Sequence, residues 1–338
     1  MRTVARFRFR SSIGVALVAA ALLAGCGSSG SSDTSTKSPG ATGSGGSAAP
    51  ANSVASQLAF GAGAECPQRP LCLQGLESVY GLKFKSVTTL DSGGPLTVAA
   101  LKKGDIQIGL IFTSDGQIAA NNWVLLEDDK KLQPADPVTP IASTALATAY
   151  GKDLATVVDG ISAKITTEDL VGMNKAVDVD QKDPDAVAQD FVKAKGLAPG
   201  GTAAPKSGPA IKIGSANFTE SVVLANIYAA VLKANGFTVE TKLKVGTREV
   251  YYPALKTGSD INFIPDYAGT LLTFVKKDAT PSTEASKVHD ALVAALKDEG
   301  VTVFASSTAE DKNGFVVTSE TAKKYNLKTI SDLAKPAS

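Results

Sequence analysis

The chain has 338 residues, 43% of them hydrophobic, enough for two domains with a sizeable core. Its 34 Lys and Arg nearly cancel 33 Asp and Glu, so no basic excess points to nucleic acid. One His, His289, and three Cys exclude most metal centres and histidine-based chemistry, and no cofactor is expected.

In chain order, the first element is an address. Arg2, Arg6, Arg8 and Arg10 precede an apolar run from Ile13 to Leu23 that is too short to span a bilayer comfortably. It ends in Leu23-Ala24-Gly25-Cys26, which resembles a bacterial lipobox, so residues 1–25 read as a signal peptide and Cys26 as the lipidated residue. Two acyl chains would anchor the protein stably where one would not. Residues 26–56, rich in Gly, Ser, Ala and Thr, read as a flexible tether with too little apolar surface to fold. The expected place is the outer face of the cytoplasmic membrane. In that oxidising compartment Cys66 and Cys72 read as a local disulfide; a metal or redox pair would want C-x-x-C spacing.

From residue 57, short apolar strands alternate with amphipathic helices. Strands are predicted at 57–61, 84–87, 106–110 and 123–126. Helices are predicted at 71–80, stopped by Gly81, and 95–103, stopped by Gly104. Three further helices follow at 153–158, 168–177 and 184–195, with Thr167 and Asp183 as caps. Residues 198–210, rich in Pro, Gly and Ala, read as a second linker. The rhythm then restarts. Strands at 211–213, 237–243, 261–264, 301–304 and 315–318 alternate with helices ending at Gly236, Gly258 and Lys297, and residues 330–338 end the chain as a helix. This alternation argues an α/β fold with mainly parallel sheets. One internal echo stands out: Ala100-Leu101-Lys102-Lys103-Gly104-Asp105-Ile106 matches Ala254-Leu255-Lys256-Thr257-Gly258-Ser259-Asp260-Ile261 with one insertion. Either two lobes share one plan, or two amphipathic helices happen to look alike.

Three stretches after the second linker carry a family resemblance: Ile213-Gly214-Ser215-Ala216-Asn217-Phe218-Thr219-Glu220, Gly246-Thr247-Arg248-Glu249 and Ile264-Pro265-Asp266-Tyr267-Ala268-Gly269-Thr270. Further carriers are Asp91-Ser92-Gly93-Gly94-Pro95, Phe112-Thr113-Ser114-Asp115 and Val124-Leu125-Leu126-Glu127-Asp128. Together they resemble the glycine betaine, choline and carnitine-binding proteins of osmoprotectant ABC importers. The order is rotated: the family's usual opening begins near residue 208 and its usual close ends near 197, as a circular permutation would produce. The resemblance implies a two-lobed, periplasmic-binding-protein-like fold of type II with a ligand cleft between the lobes. One lobe would span 137–312, with linker 198–210 joining the family's usual ends. The other would combine 57–136 with 313–338.

Carried over by motif, the resemblance gives a partial aromatic box. Tyr267 would be a cage tyrosine in a Pro265–Thr270 turn, with Thr270 a ligand-bonding hydroxyl. Phe315 and Phe112 keep the ring of family tyrosines without the hydroxyl, and Arg69 matches a carboxylate-binding arginine. Asn313 stands where a polar contact is expected, and Asp136 replaces a fourth tyrosine. Ala216 stands where some members carry a carboxylate-binding Lys. Cation–π attraction suits a trimethylammonium group, whereas a betaine carboxylate needs Arg or N–H donors. Core packing is the competing role for Phe112 and Phe315, pairing with Glu65 for Arg69, and an ordinary turn for Asp136.

The implied function is capture of a betaine first, or choline, for an ABC permease and its ATPase, by a monomeric lipoprotein that is not an enzyme. The alternative is a two-lobed sensor or scaffold lipoprotein that binds another small polar solute.

Overall fold

Hydrophobic periodicity and glycine stops build two sheets, as seen in a computed structural model describing residues 50–91, 93–198 and 203–337. The signal sequence and Cys26 lie outside the described residues. The chain first lays down β1 (Ala59–Gly63), α1 (Leu73–Tyr80), β2 (Ser86–Leu90), α2 (Pro95–Lys103), β3 (Ile108–Phe112), α3 (Gly116–Ala120) and β4 (Val124–Leu125). It then crosses to a second lobe and forms β5 (Val138–Ser143), α4 (Thr144–Tyr150), α5 (Lys152–Ser162), α6 (Thr167–Asn174) and α7 (Pro184–Ala194). That lobe continues with β6 (Ile211–Ala216), α8 (Thr219–Ala234), β7 (Val239–Gly246), α9 (Arg248–Thr257), β8 (Phe263–Tyr267), α10 (Ala268–Val275), α11 (Ala285–Leu296) and β9 (Val301–Val303). The chain returns through β10 (Asn313–Val317) and α12 (Ser319–Tyr325).

Among the described residues, one sheet has the order β2-β1-β3-β10-β4 and the other β7-β6-β8-β5-β9. The plan is the same twice: three parallel strands, then the strand that has just arrived from the other lobe, antiparallel, then a short edge strand. The sheets are thus mixed rather than mainly parallel, because each lobe takes its fourth strand from the crossing chain. The internal echo has a structural meaning here. α2 joins β2 to β3 and α9 joins β7 to β8, equivalent places in the two lobes. Both helices end on a glycine in the left-handed region, Gly104 at φ 77° and Gly258 at φ 66°, where a Cβ would be strained.

Proline hid β5 from a propensity reading and cut the predicted strand at 261–264 short of the end of β8 at Tyr267. Pro140 and Pro265 face each other across the β5–β8 pair. The Pro140 carbonyl points to β9 and accepts from Phe304 N at 3.0 Å, just past the last paired residue of that strand. Pro140 and Pro265 are therefore a non-hydrogen-bonded pair of the β5–β8 ladder, and neither missing donor breaks it.

The folded region starts earlier than composition suggests. Ser53, Val54 and Ala55 are buried, Val54 N donates to Lys335 O at 2.8 Å, and Ala337 N donates to Asn52 O at 2.8 Å. The two ends of the described chain are zipped together, so part of the predicted tether belongs to the fold. Residues 203–210 of the second linker also dock: Lys206 N donates to Gly236 O at 2.8 Å, and Tyr150 donates its hydroxyl to Pro209 O at 2.8 Å. Cys66 and Cys72 are bonded, closing a seven-residue loop beside α1. His289 is half-buried, with Nε2 3.1 Å from Phe304 O.

Candidate functional site

Ligands in open α/β sheets sit beyond the carboxyl ends of parallel strands. Here those ends meet between the lobes. Phe112 is the last residue of β3 in one lobe, and Phe218 follows β6 in the other. Both are large apolar side chains left 41% and 46% exposed. They line one cavity of about 230 Å³ with Ser114, Asp115, Asn174 and Glu220. Tyr267, at the junction of β8 and α10, sets its ring 6.4 Å from that of Phe218.

Behind the rings lies a buried acidic network. Glu220 sits in the first turn of α8, a helix apolar on nearly every face, so its carboxylate is carried into the interior. Tyr267 donates its hydroxyl to Glu220 Oε1. Asn174 donates through Nδ2 to Glu220 Oε2 at 2.5 Å and to the Ser114 carbonyl of the other lobe at 2.8 Å. With both amide donors used, Asn174 Oδ1 is buried without a partner. An acceptor left in that state costs about 1–3 kcal/mol. Asp311 adds a second carboxylate, accepting from Ser114 N at 3.3 Å. Burial raises the Glu220 carboxyl well above the ordinary range, and the neighbouring Asp311 adds to it. Burial also raises Asp311, and it raises Asp115 with help from Asp178. No Lys or Arg is among the residues lining this cavity.

The lobes are shut on each other at one edge. The N-terminus of α3 lies so close to the other lobe that a Cβ on Gly116 would stand 2.2 Å from Lys175 N and 2.7 Å from Asn174 C. The following residues, Lys175–Val179, form a π-helical turn continuing α6. Such bulges recur at functional sites.

The sequence-predicted residues fall into three groups. Tyr267 and Phe112 are drawn together through Phe218. Tyr267 is no turn residue, however: it closes a strand and is 7% exposed. Phe315 and Asn313 lie on β10 beside a neighbouring cavity of about 490 Å³. Phe315 is 1% exposed and packs 6.1 Å from Phe60, so its ring serves the core and not the cage between Phe112 and Phe218. Asn313 instead reaches Gln133 Oε1 at 3.3 Å.

The third group is structural. Asp136 accepts from the Gly269 and Thr270 amides at 2.7 and 3.1 Å, capping α10, rather than standing as a cage wall. Burial pushes its carboxyl up to about 7 despite those two donors. Thr270 is exposed, and its hydroxyl accepts from Arg248 Nη2 at 3.0 Å. Arg248 in turn pairs with buried Asp266 at 2.6 Å, and Tyr251 donates to the same carboxylate at 2.8 Å. Arg69 is turned to solvent, 65% exposed and 4.0 Å from Glu65, and does not line the Phe112–Phe218 cavity. A carboxylate-binding role for it has no geometric support.

Phe218, Glu220, Asn174 and Asp311 escaped the sequence reading. Two signals were present. Phe218 occupies the N-cap of α8, where Ser, Thr, Asp or Asn is favoured. Glu220 opens a helix whose sequence is otherwise apolar all round.

Comparison with known proteins follows the same lines. The model of a family described as the substrate binding domain of ABC-type glycine betaine transport systems matches residues 47–194 and 209–338. The break between the two blocks falls on the second linker. A carnitine transport binding protein of Listeria monocytogenes is 29% identical over 120 residues, 36% of this chain and 38% of its own length. A glycine-betaine-binding protein of Pseudomonas aeruginosa is 29% identical over 127 residues, 37% and 40% of the two chains. The chain thus spans about two fifths of the length of these relatives. The apo structure of YehZ from Escherichia coli aligns with a TM-score of 0.35 at 13% identity, covering 83% of this chain and 92% of that one.

Proposed function

The chain belongs to the family of substrate-binding domains of ABC-type glycine betaine transport systems, and from that premise we propose that it captures a small quaternary-ammonium solute between its lobes for import. It would hand the solute to a permease driven by an ATPase, working outside the cytoplasmic membrane from a lipid anchor on Cys26. The fold is the two-lobed α/β type of periplasmic binding proteins. Its family is one of transport binding proteins rather than enzymes.

One observation carries the reading: an aromatic side chain from each lobe, Phe112 and Phe218, lines one cavity with carboxylates and without Lys or Arg. A quaternary ammonium holds its charge diffusely and is solvated weakly, so dry aromatic faces and buried carboxylates bind it well. The same walls favour a cation with a hydroxyl donor, such as choline, over a betaine. Asn174 Oδ1, Glu220 and Asp311 all accept, and Ala216 supplies no ammonium. Glycine betaine is the second reading, supported by the names of the relatives.

Calorimetry with choline, glycine betaine and carnitine tests this. Phe218→Ala should weaken choline binding by about 30-fold, the equivalent of about 2 kcal/mol for one desolvated ring. Unchanged binding in both Phe218→Ala and Phe112→Ala would remove the cleft from consideration. Tighter binding of glycine betaine than of choline would overturn the preference for an acceptor-lined site.

The chain order is proposed to be a rotation of the family module, with 198–210 bridging its former ends. The two matched blocks and the zipped ends at Asn52 and Ala337 support it. A chain reopened at residue 200, with 337 joined to 50 by a short linker, should fold and bind choline unchanged. Failure of that chain to fold would contradict the rotation.

A further inference from the structure

At the other end of the first lobe's sheet lies a third cavity, remote from the aromatic cleft. It opens at the amino ends of the parallel strands, where Leu58 precedes β1, Gln107 precedes β3 and Trp123 precedes β4. Phe112 marks the opposite, carboxyl end of the same sheet. The cavity measures about 720 Å³. Four lysines line it, Lys85, Lys102, Lys103 and Lys324, against a single carboxylate, Glu320.

These lysines differ from most others that surround a cavity in this protein. Lys242, Lys256 and Lys312, which line other cavities, each meet a carboxylate. None of the four does so among the described residues; the Lys324 ammonium stands 4.9 Å over the Tyr325 ring instead. The second lobe provides an internal control. The equivalent cavity after α9, about 390 Å³, contains Gly258 where this one contains Gly104. Its lysine, Lys256, is neutralised by Glu299. Two lobes of one plan thus differ at this spot in the size of the cavity and in uncompensated positive charge.

We propose that the cavity lined by Lys85, Lys102, Lys103 and Lys324 binds a phosphate-bearing anion. Several lysines around one hollow hold a multiply charged, compact anion better than a lone carboxylate. The hollow is also far larger than one phosphate requires, which leaves room for an attached glycerol or sugar. The source is either a soluble phosphate ester or the headgroup of an anionic phospholipid. The site is independent of the aromatic cleft, and the two can fail separately.

The test uses the full chain carrying Cys26→Ser, so that no acyl anchor contributes in any arm. Glycerol phosphate is titrated by calorimetry, and phosphatidylglycerol and phosphatidylcholine vesicles are used for sedimentation. Binding of glycerol phosphate, weakened about tenfold by Lys102→Gln with Lys324→Gln, supports a soluble ester. Sedimentation with phosphatidylglycerol but not phosphatidylcholine vesicles, lost in the same double variant and weakened by added salt, supports a lipid headgroup. Choline binding should stay unchanged in that variant, and Lys256→Gln in the other lobe should change neither anion result. No binding of either probe, or binding equal in the parent and the double variant, overturns the proposal.

Discussion

Glu220→Gln is expected to stabilise the ligand-free protein and to weaken capture of a quaternary cation, two effects of opposite sign from one atom exchange. The buried carboxylate of Glu220 faces Asp311 in a site without a cationic side chain, so its ionised form is disfavoured by both desolvation and repulsion. Gln keeps the shape and mimics the protonated acid: its oxygen accepts from Asn174 Nδ2, and its amide donates to the Tyr267 hydroxyl. Removing the latent charge should add about 1–3 kcal/mol to stability above neutral pH. The sign follows from linkage. A carboxyl raised in the folded state holds its proton there longer than in the unfolded chain. Wild-type stability therefore falls as pH rises from the ordinary carboxylate range through the raised folded value, and the Gln variant loses that slope.

Binding runs the other way. A bound cation favours the ionised form, so capture expels a proton and affinity rises with pH until Glu220 is ionised in the free protein. In Glu220→Gln the affinity should drop by about tenfold or more and its pH slope should flatten. Melting curves at pH 6 and 9, with calorimetry in buffers of different ionisation enthalpy, read both effects. A variant less stable at high pH than the parent would mean that Glu220 is held ionised by its donors, contrary to this account. The trade of stability for binding is common where a site is built from unpaired groups.

How much of this was legible beforehand depended on whether a local signal and a global one agreed. α2 and α9 declared themselves because their apolar spacing ended on a glycine that only a left-handed cap requires. The acid that closes α7's first turn was equally plain, since Asp183 before Pro184 is both a side-chain cap and a rigid helix start. Where a segment is buried on both faces, the periodic signal vanishes: β5 reads as Val-Thr-Pro-Ile-Ala-Ser and carries a proline. α10 was lost for a related reason. Pro265 to Thr270 has the composition of a turn, yet Asp136, distant in sequence, supplies the cap that starts a helix there. No local property of residue 136 could show that. The site divides the same way. Rings at strand ends were found by motif, but Asn174 and Asp311 come from elements that meet only after both lobes have folded. Phe315 shows the converse error. Its motif position suggested a cage, while its strand neighbours fixed it in the core.

Gly116→Ala is expected to leave each lobe folded and to prevent the lobes from shutting. The added methyl would lie 2.2 Å from Lys175 N and 2.4 Å from Lys175 Cα, main-chain atoms that cannot rotate away. Overlap of that kind typically costs about 1–3 kcal/mol when it is forced, so the shut arrangement should lose its advantage. Gly116 is the first residue of α3 and its φ is not positive, so within its own lobe Ala there should add about 0.4–1 kcal/mol by restricting the unfolded chain. Stability and closure therefore separate. The bond from Asn174 Nδ2 to Ser114 O would break, and the Phe112 and Phe218 faces would no longer sandwich one ligand. Choline affinity should fall about 10- to 100-fold. Small-angle scattering should show a larger radius of gyration that ligand no longer reduces, while the melting temperature of the free protein stays level or rises. Two hinges in the connections near residues 126–137 and 304–312 carry the movement, because these are where the chain passes from one sheet to the other. Glu220→Gln and Gly116→Ala thus weaken capture by separate routes. The first removes attraction from a site that still shuts, and the second keeps the attraction but holds its halves apart, so only the second should change the scattering profile.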